Sequence, residues 1–275
     1  MSPIQSLLVH LDAGLSCVSR LQVARDIAER HGSVVTALYA VTPALIQIPL
    51  AGGAASAAAT LLKELDHERL QRARTCFETV ISRPGPDVQW TVMSEEPVVT
   101  GFVHEAMYAD LLVLGQRPAG DVFSRDVPAD FAETVTLSSG RPSIVVPNAG
   151  EFPCVGRRIV VAWKSSREAA RAVAWALPLL QRAGHVHLAH WSEPGESHSP
   201  LGIERYLRLH GIDPMRHDFG PTSDVGEAML AYAAEVGADL VVMGCYGHSR
   251  VRELVLGGAT RHVLHSAAIP VFMAH

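Results

Sequence analysis

Short apolar runs recur along the chain, and most are followed by a stretch whose apolar residues fall three and four apart. Residues 7–11 (LLVHL) read as a strand with Asp12 at its carboxyl end. Gly14 and Ser16 lead into a helix whose apolar positions Val18, Leu21, Val23, Ala24 and Ile27 share one side, closing at His31-Gly32. Residues 33–41 (SVVTALYAV) form a β-branched strand, and 42–59, rich in Pro, Gly and Ala, read as a loop. A long helix over 60–82 is stopped by Arg83-Pro84-Gly85-Pro86. The spacing then predicts a strand over 88–93, a helix over 97–108 and a strand over 111–114. A looser region, 116–140, holds a helix around 129–137, and residues 143–146 are a strand.

After the turn-rich stretch 147–156 (PNAGEFPCVG) the order begins again. Strands are predicted at 159–163, 185–191, 214–219, 240–243 and 271–273. Helices are predicted from a cap at Ser165-Ser166 to about 182, over 200–210, over 223–236 and over 259–266. Strands alternating with helices imply a parallel sheet flanked by helices, an α/β fold. The halves also repeat in sequence: ADLLVLG (109–115) matches ADLVVMG (238–244), and LLVHLD (7–12) matches IVVAWK (159–164). GRPSIVV (140–146) and AIPVFMA (268–274) share a pattern. We read a tandem duplication, with a first domain over 1–148, a linker over 149–156 and a second domain over 157–275.

The closing stretch, 238–275, carries the candidate chemistry. An apolar run ends in Gly244; Gly247 follows, nine residues separate it from Gly257-Gly258, and a helix then starts at Ala259. Glycines between a strand and a helix start let backbone amides cradle an anion, because no Cβ blocks the approach. In an open parallel sheet a ligand sits beyond the carboxyl ends of the strands, where the strand order reverses. Trp163-Lys164 and Met243-Gly244 are the strand ends that meet there.

Composition narrows the classes. With 48% hydrophobic and 19% charged residues the chain can build a packed core; a net charge of −5 without a Lys/Arg-rich run gives nucleic-acid binding little support. Cys17, Cys76, Cys154 and Cys245 form no CxxC pair, which argues for a reducing cytoplasm. The start MSPIQSLLVHLD lacks the pattern of a signal peptide, and no apolar run is long enough to span a membrane, so a cytoplasmic protein that is not membrane-bound is expected. Among fourteen histidines, His185 and His187 share a strand face while His190 points the other way, and His262 and His265 lie three apart on the closing helix. Neither group completes a ligand set, so no metal site is expected. Cys245 reads as a small loop residue or a redox-sensitive thiol. No nucleophile elbow, HExxH or P-loop is present, and a dedicated enzyme is not expected.

On these residues the chain resembles the universal stress protein family in its tandem two-domain form. The most specific mark is Gly244-x2-Gly247-x9-Gly257, with GHSR at 247–250 and the PVFM strand at 270–273. The resemblance implies two Rossmann-like domains of the adenine nucleotide alpha hydrolase-like type, each a five-stranded parallel sheet in the order 3-2-1-4-5 with helices on both faces. It implies ATP, with or without Mg, in the second domain. The base and ribose would touch Ala162, Lys164, Trp191, Met243 and Gly244, and the phosphates Gly247, Gly257, Gly258 and Ala259. Two positions depart from the pattern. Gly258 replaces a Ser or Thr, with Thr260 the nearby hydroxyl; Lys164 replaces an Asp and either pairs with a phosphate or faces solvent. The first half keeps Asp12, Val41 and Gly115, but Gln116-Arg117-Pro118 follows and the glycine spacing is gone. That half is not expected to bind ATP in the family's way. The resemblance also implies an intramolecular pseudo-dimer through the last strands, 143–146 and 271–273, and allows a further homodimer.

A stress-responsive, ATP-binding regulatory protein is therefore expected. The alternatives are a nucleotide-independent scaffold or chaperone-like partner protein, and a nucleotide- or flavin-dependent enzyme of a related α/β fold.

Overall fold

The computed structural model describes residues 4–47, 55–93, 97–116, 126–191, 202–245 and 258–275. Contacts gather into two units, one spanning Gln5–Arg141 and the other joining Met1–Ile4 to Pro142–His275.

The first unit runs β1 (Ser6–Leu11), α1 (Cys17–His31), β2 (Val34–Tyr39), α2 (Ala44–Gln47), α3 (Ala55–Ile81), β3 (Val88–Val92), α4 (Val98–Ala106), β4 (Leu111–Gly115) and α5 (Phe131–Ser138). Its strands lie in the order β3-β2-β1-β4, all parallel, with Leu7 opposite both Val35 and Leu111. Alternation sends Leu8, Leu38, Leu112 and Leu114 to one face, where Phe102, Phe131 and Val135 of α4 and α5 cover them. Helix α1 packs on β1, β2 and β4, with α3 against it. It ends where Gly32 turns left-handed (φ 69°) and returns its N–H to the Ala28 carbonyl.

The expected loop over 42–59 is corrected. Residues 44–47 are helical, and α3 begins at Ala55 rather than at 60. The missed signal is tertiary: both carboxylate oxygens of Asp66 on α3 accept the Ala44 N–H at 3.0 Å, tying the start of α2 down. An alanine-rich stretch continues a helix once its end is anchored.

The second unit runs β5 (Ser143–Val146), β6 (Arg158–Trp163), α6 (Arg167–Leu180), β7 (His185–Trp191), α7 (Ile203–Leu209), β8 (Met215–Phe219), α8 (Val225–Glu235), β9 (Leu240–Gly244), α9 (Ala259–Ser266) and β10 (Val271–Ala274). Strands β8-β7-β6-β9-β10 are parallel, which is the order 3-2-1-4-5. The first unit's own strands fill the first four places of the same order. Strand β5 pairs antiparallel with β10, Val145 opposite Val271 and Ile144 opposite Phe272. The α/β fold class read from the sequence is borne out.

The repeated Ala-Asp before β4 and β9 has a physical cause. Asp110 accepts the N–H groups of Gln5 and Ser6 at 2.9 and 3.0 Å. Asp239 accepts those of Gly156, Arg157 and Arg158 at 2.7 to 3.1 Å. Each carboxylate ties the entry of one strand to the start of its neighbour. Asp239→Ala strands several amides at once and is expected to cost about 2 kcal/mol. Urea unfolding followed in the second unit checks this, and a midpoint equal to the parent's would contradict it.

Candidate functional site

Parallel strands bring their carboxyl ends to one edge of a sheet. In the second unit, Ala162 on β6 lies opposite Met243 on β9, Lys164 is the first residue past β6, and Gly244 ends β9. Trp191 ends β7 and stacks on Phe219 of β8, ring centres 5.0 Å apart and 15° from parallel. The crossover from β9 to β10 starts α9 at this same edge, since the helix must run back along the sheet. Gly258 caps α9 in an extended conformation without a side-chain hydrogen bond, and Ala259 and Thr260 open it. Thr260 is buried, at 4% exposure. Of the sequence-predicted residues, Ala162, Lys164, Met243 and Gly244 gather at the strand ends. Trp191 lies one strand away, and residues 258–260 form the helix start. Gly247 and Gly257 lie outside the described residues, as do His248, Arg250 and Arg252.

Two details differ from expectation. A Cβ added at Gly244 would collide with the backbone of Ala169 and Glu168, so α6 begins hard against the end of β9. The Ser166 hydroxyl caps that helix by accepting from Ala169 N–H at 3.2 Å, as expected. Cys245 is fully buried and not in an open loop; its N–H donates to the Ala274 carbonyl at 2.9 Å, continuing the ladder.

The histidines are engaged elsewhere. His187 Nδ1 lies 3.0 Å from the Tyr232 hydroxyl, and burial pushes its pKa down. His190 faces Asp218 at 3.6 Å, and His262 on α9 pairs with Asp224 at 3.2 Å. Asp224 also caps α8 through the Glu227 N–H, so it couples the starts of α8 and α9. Among the described residues no three His, Cys, Asp or Glu side chains converge as a metal site.

Sequence reasoning missed a buried polar network in the first unit. Arg20, 1% exposed, sends one guanidinium nitrogen to Asp12 at 2.7 Å and to the Cys17 sulfur at 3.1 Å. Its other terminal nitrogen lies 3.1 Å from His10 Nδ1. His10 Nε2 donates to the Ala40 carbonyl at 2.8 Å, leaving Nδ1 as the acceptor for Arg20. Burial, reinforced by Arg20, lowers the His10 pKa to about 4, so the ring is neutral. Burial alone would raise the Asp12 carboxyl, but Arg20, His10 and the Gly14 N–H together outweigh it and hold it at about 2. Arg20 also lies across Gly115, where a Cβ would come within 3.0 Å of it. The ends of β1 and β4, the first unit's own switch point, are thus bridged by an ion pair of the chain itself. One signal was available: Arg20 falls three residues after Cys17 and beside Leu21, on the inward side of α1.

The two units have the fold of universal stress proteins, and comparison with known proteins agrees. Residues 220–275 match the universal stress protein family. A stretch of 45 residues is 47% identical to a universal stress protein from Synechocystis, though it spans only 16% of that protein's length. The crystal structure of a universal stress protein from Archaeoglobus fulgidus covers 98% of this chain and 95% of its own, with a TM-score of 0.72 at 19% identity. A functionally unknown protein from Pseudomonas aeruginosa covers 98% of this chain and 92% of its own, with a TM-score of 0.59 at 17% identity. These structural likenesses are likenesses of fold. The resemblance read from the sequence is borne out: the closing segment is universal stress protein sequence, and the chain carries the universal stress protein fold. No described helix is long and apolar enough to cross a membrane.

Proposed function

We propose that the chain is a stress-responsive regulatory protein that binds one adenine nucleotide, ATP, at the carboxyl edge of the second unit. The observation that carries this reading is the start of α9. A helix N-terminus capped by a bare glycine, Gly258, opens at the switch-point edge, inside the segment that matches the family. The base and ribose are assigned to Ala162, Lys164, Trp191, Met243 and Gly244. The phosphates are assigned to Gly247 and Gly257 and to the amides of Gly258, Ala259 and Thr260, with Mg as a counter-ion on the phosphates. Lys164 is exposed and beside them, so it acts as a point charge toward phosphate. The first unit contributes no such site, because Arg20 and Asp12 already satisfy each other across its strand ends. Antiparallel pairing of β5 with β10 supports an intramolecular pseudo-dimer, and a homodimer of whole chains extends the same proposal.

Calorimetric titration of the full chain with ATP, with and without Mg, tests the reading. One nucleotide per chain is expected, with binding lost in Gly247→Val and retained in Arg20→Lys. Two sites per chain, no saturation at millimolar ATP, or undiminished binding in Gly247→Val would each contradict it.

A specific observation favours a second reading, a nucleotide-independent scaffold or chaperone-like partner. Gly258 offers no hydroxyl and Thr260 is buried. A partner whose binding ignores added ATP would support that reading.

A further inference from the structure

We propose that Asp126 is a proton-operated latch in the first unit. With its carboxyl protonated it holds the segment leading into α5 against the turns that follow β1 and β2, and losing the proton loosens that hold.

The geometry places this residue between two turns. Asp126 is 1% exposed, and its backbone carbonyl accepts the Thr42 N–H, just past β2, at 2.6 Å. Its Oδ2 is reached by the Ala13 N–H, just past β1, at a long 3.5 Å. The next amide along, Gly14 N–H, is given to Asp12 at 2.8 Å. Consecutive amides therefore serve two different carboxyl groups, which sets Asp126 beside Asp12.

The groups around the pair cannot neutralise both. From α1, Arg20 is committed to Asp12, and from β1 the neutral His10 is committed to Arg20 and the Ala40 carbonyl. From α3, Arg69 pairs with Asp66 at 3.2 Å. From β2, Tyr39 presents a buried hydroxyl without a partner, and Arg69 Nε is likewise unsatisfied. Among the described residues no cation comes within ion-pair distance of Asp126. Two buried carboxyls sharing one committed guanidinium cannot both ionise cheaply, and the one without the partner keeps its proton. Burial first, then the Asp12 charge, raise the Asp126 pKa to about 7, with Arg69 opposing them.

The sign follows. The native group binds its proton more tightly than the unfolded one, whose pKa is 3.8, so the stabilisation is complete below that value. It is lost as pH rises through about 7. Near neutrality the segment from Asp126 to the start of α5 then responds to small pH changes, in a region where an ordinary carboxylate is silent. Once charged, Asp126 sits beside Asp12 with only a long hydrogen bond from Ala13, and both turns lose their common anchor.

Carboxyl-detected NMR titration of the full chain labelled at aspartate tests this, together with amide exchange at Ala13 and Thr42. We expect Asp126 to titrate near neutrality. Protection at both amides, corrected for intrinsic exchange, should fall at least ~10-fold from about pH 5.5 to about pH 8.5. In Asp126→Asn that protection should not vary with pH. An Asp126 midpoint in the ordinary carboxylate range, or constant protection at both amides in the parent, would overturn the proposal. Both of those readings are made on the parent chain, so they decide even if Asp126→Asn does not fold.

Discussion

Replacing Gly244 with valine should abolish folding of the second unit and, with it, nucleotide binding. The glycine sits at the end of β9, where the first turn of α6 crosses it. An added Cβ would overlap the Ala169 nitrogen and the Glu168 backbone. These are backbone atoms at a capped helix start, not the far end of a flexible side chain. Relief requires moving α6 as a body, and α6 buries Ala172, Val173, Ala176, Leu177 and Leu180 at 1% exposure or less. Overpacking of this kind costs more than ~3 kcal/mol. Gly244→Ala should shift in the same direction by less. Thermal unfolding and near-ultraviolet circular dichroism read the effect, and a valine variant with the parent's midpoint would refute the packing account.

Arg20→Leu should have the next largest effect. It leaves Asp12, whose side chain is 19% exposed, beside Cys17 and Asp126 without its guanidinium. Breaking one partner of a buried pair costs about 3–5 kcal/mol, because a charge remains behind. The acid side supplies an independent check. Asp12 is held at about 2 against 3.8 when unfolded, so the pair's contribution is present above 3.8 and fades as pH falls through about 2. That difference corresponds to about 2 kcal/mol. In Arg20→Leu the carboxyl is expected to titrate higher and this acid-side loss to begin at higher pH. Adding Asp12→Asn to the variant should restore part of the stability by removing the stranded charge. Urea midpoints near neutrality and in acid measure both, and an acid profile unchanged by Arg20→Leu would contradict the pairing.

Much of the fold was legible because its signals are local. The run at β9, the cap at Ser166 and the left-handed Gly32 after α1 each sit within a few residues of the feature they specify. The repeated Ala-Asp was legible as a repeat, but its purpose was not, since Asp239 acts on amides about eighty residues earlier in the chain. Residues 42–59 misled for the same reason, because the anchor of α2 is Asp66, on another helix. Gly244 was read as the entry to an anion-binding turn; it is required by close helix packing. Arg20 looked like one more polar residue on α1. Only the meeting of β1, β4 and α1 turns it into the bridge that fills the first unit's strand ends.

The central claim is that one adenine nucleotide binds in the second unit. Amide exchange of the full chain, with and without saturating ATP, tests it most directly. The account predicts slowed exchange in residues 240–245 and 258–266, with the strand ends of the first unit, 11–16 and 111–116, unchanged. Protection confined to Gln5–Arg141, or no change in either unit, would contradict it.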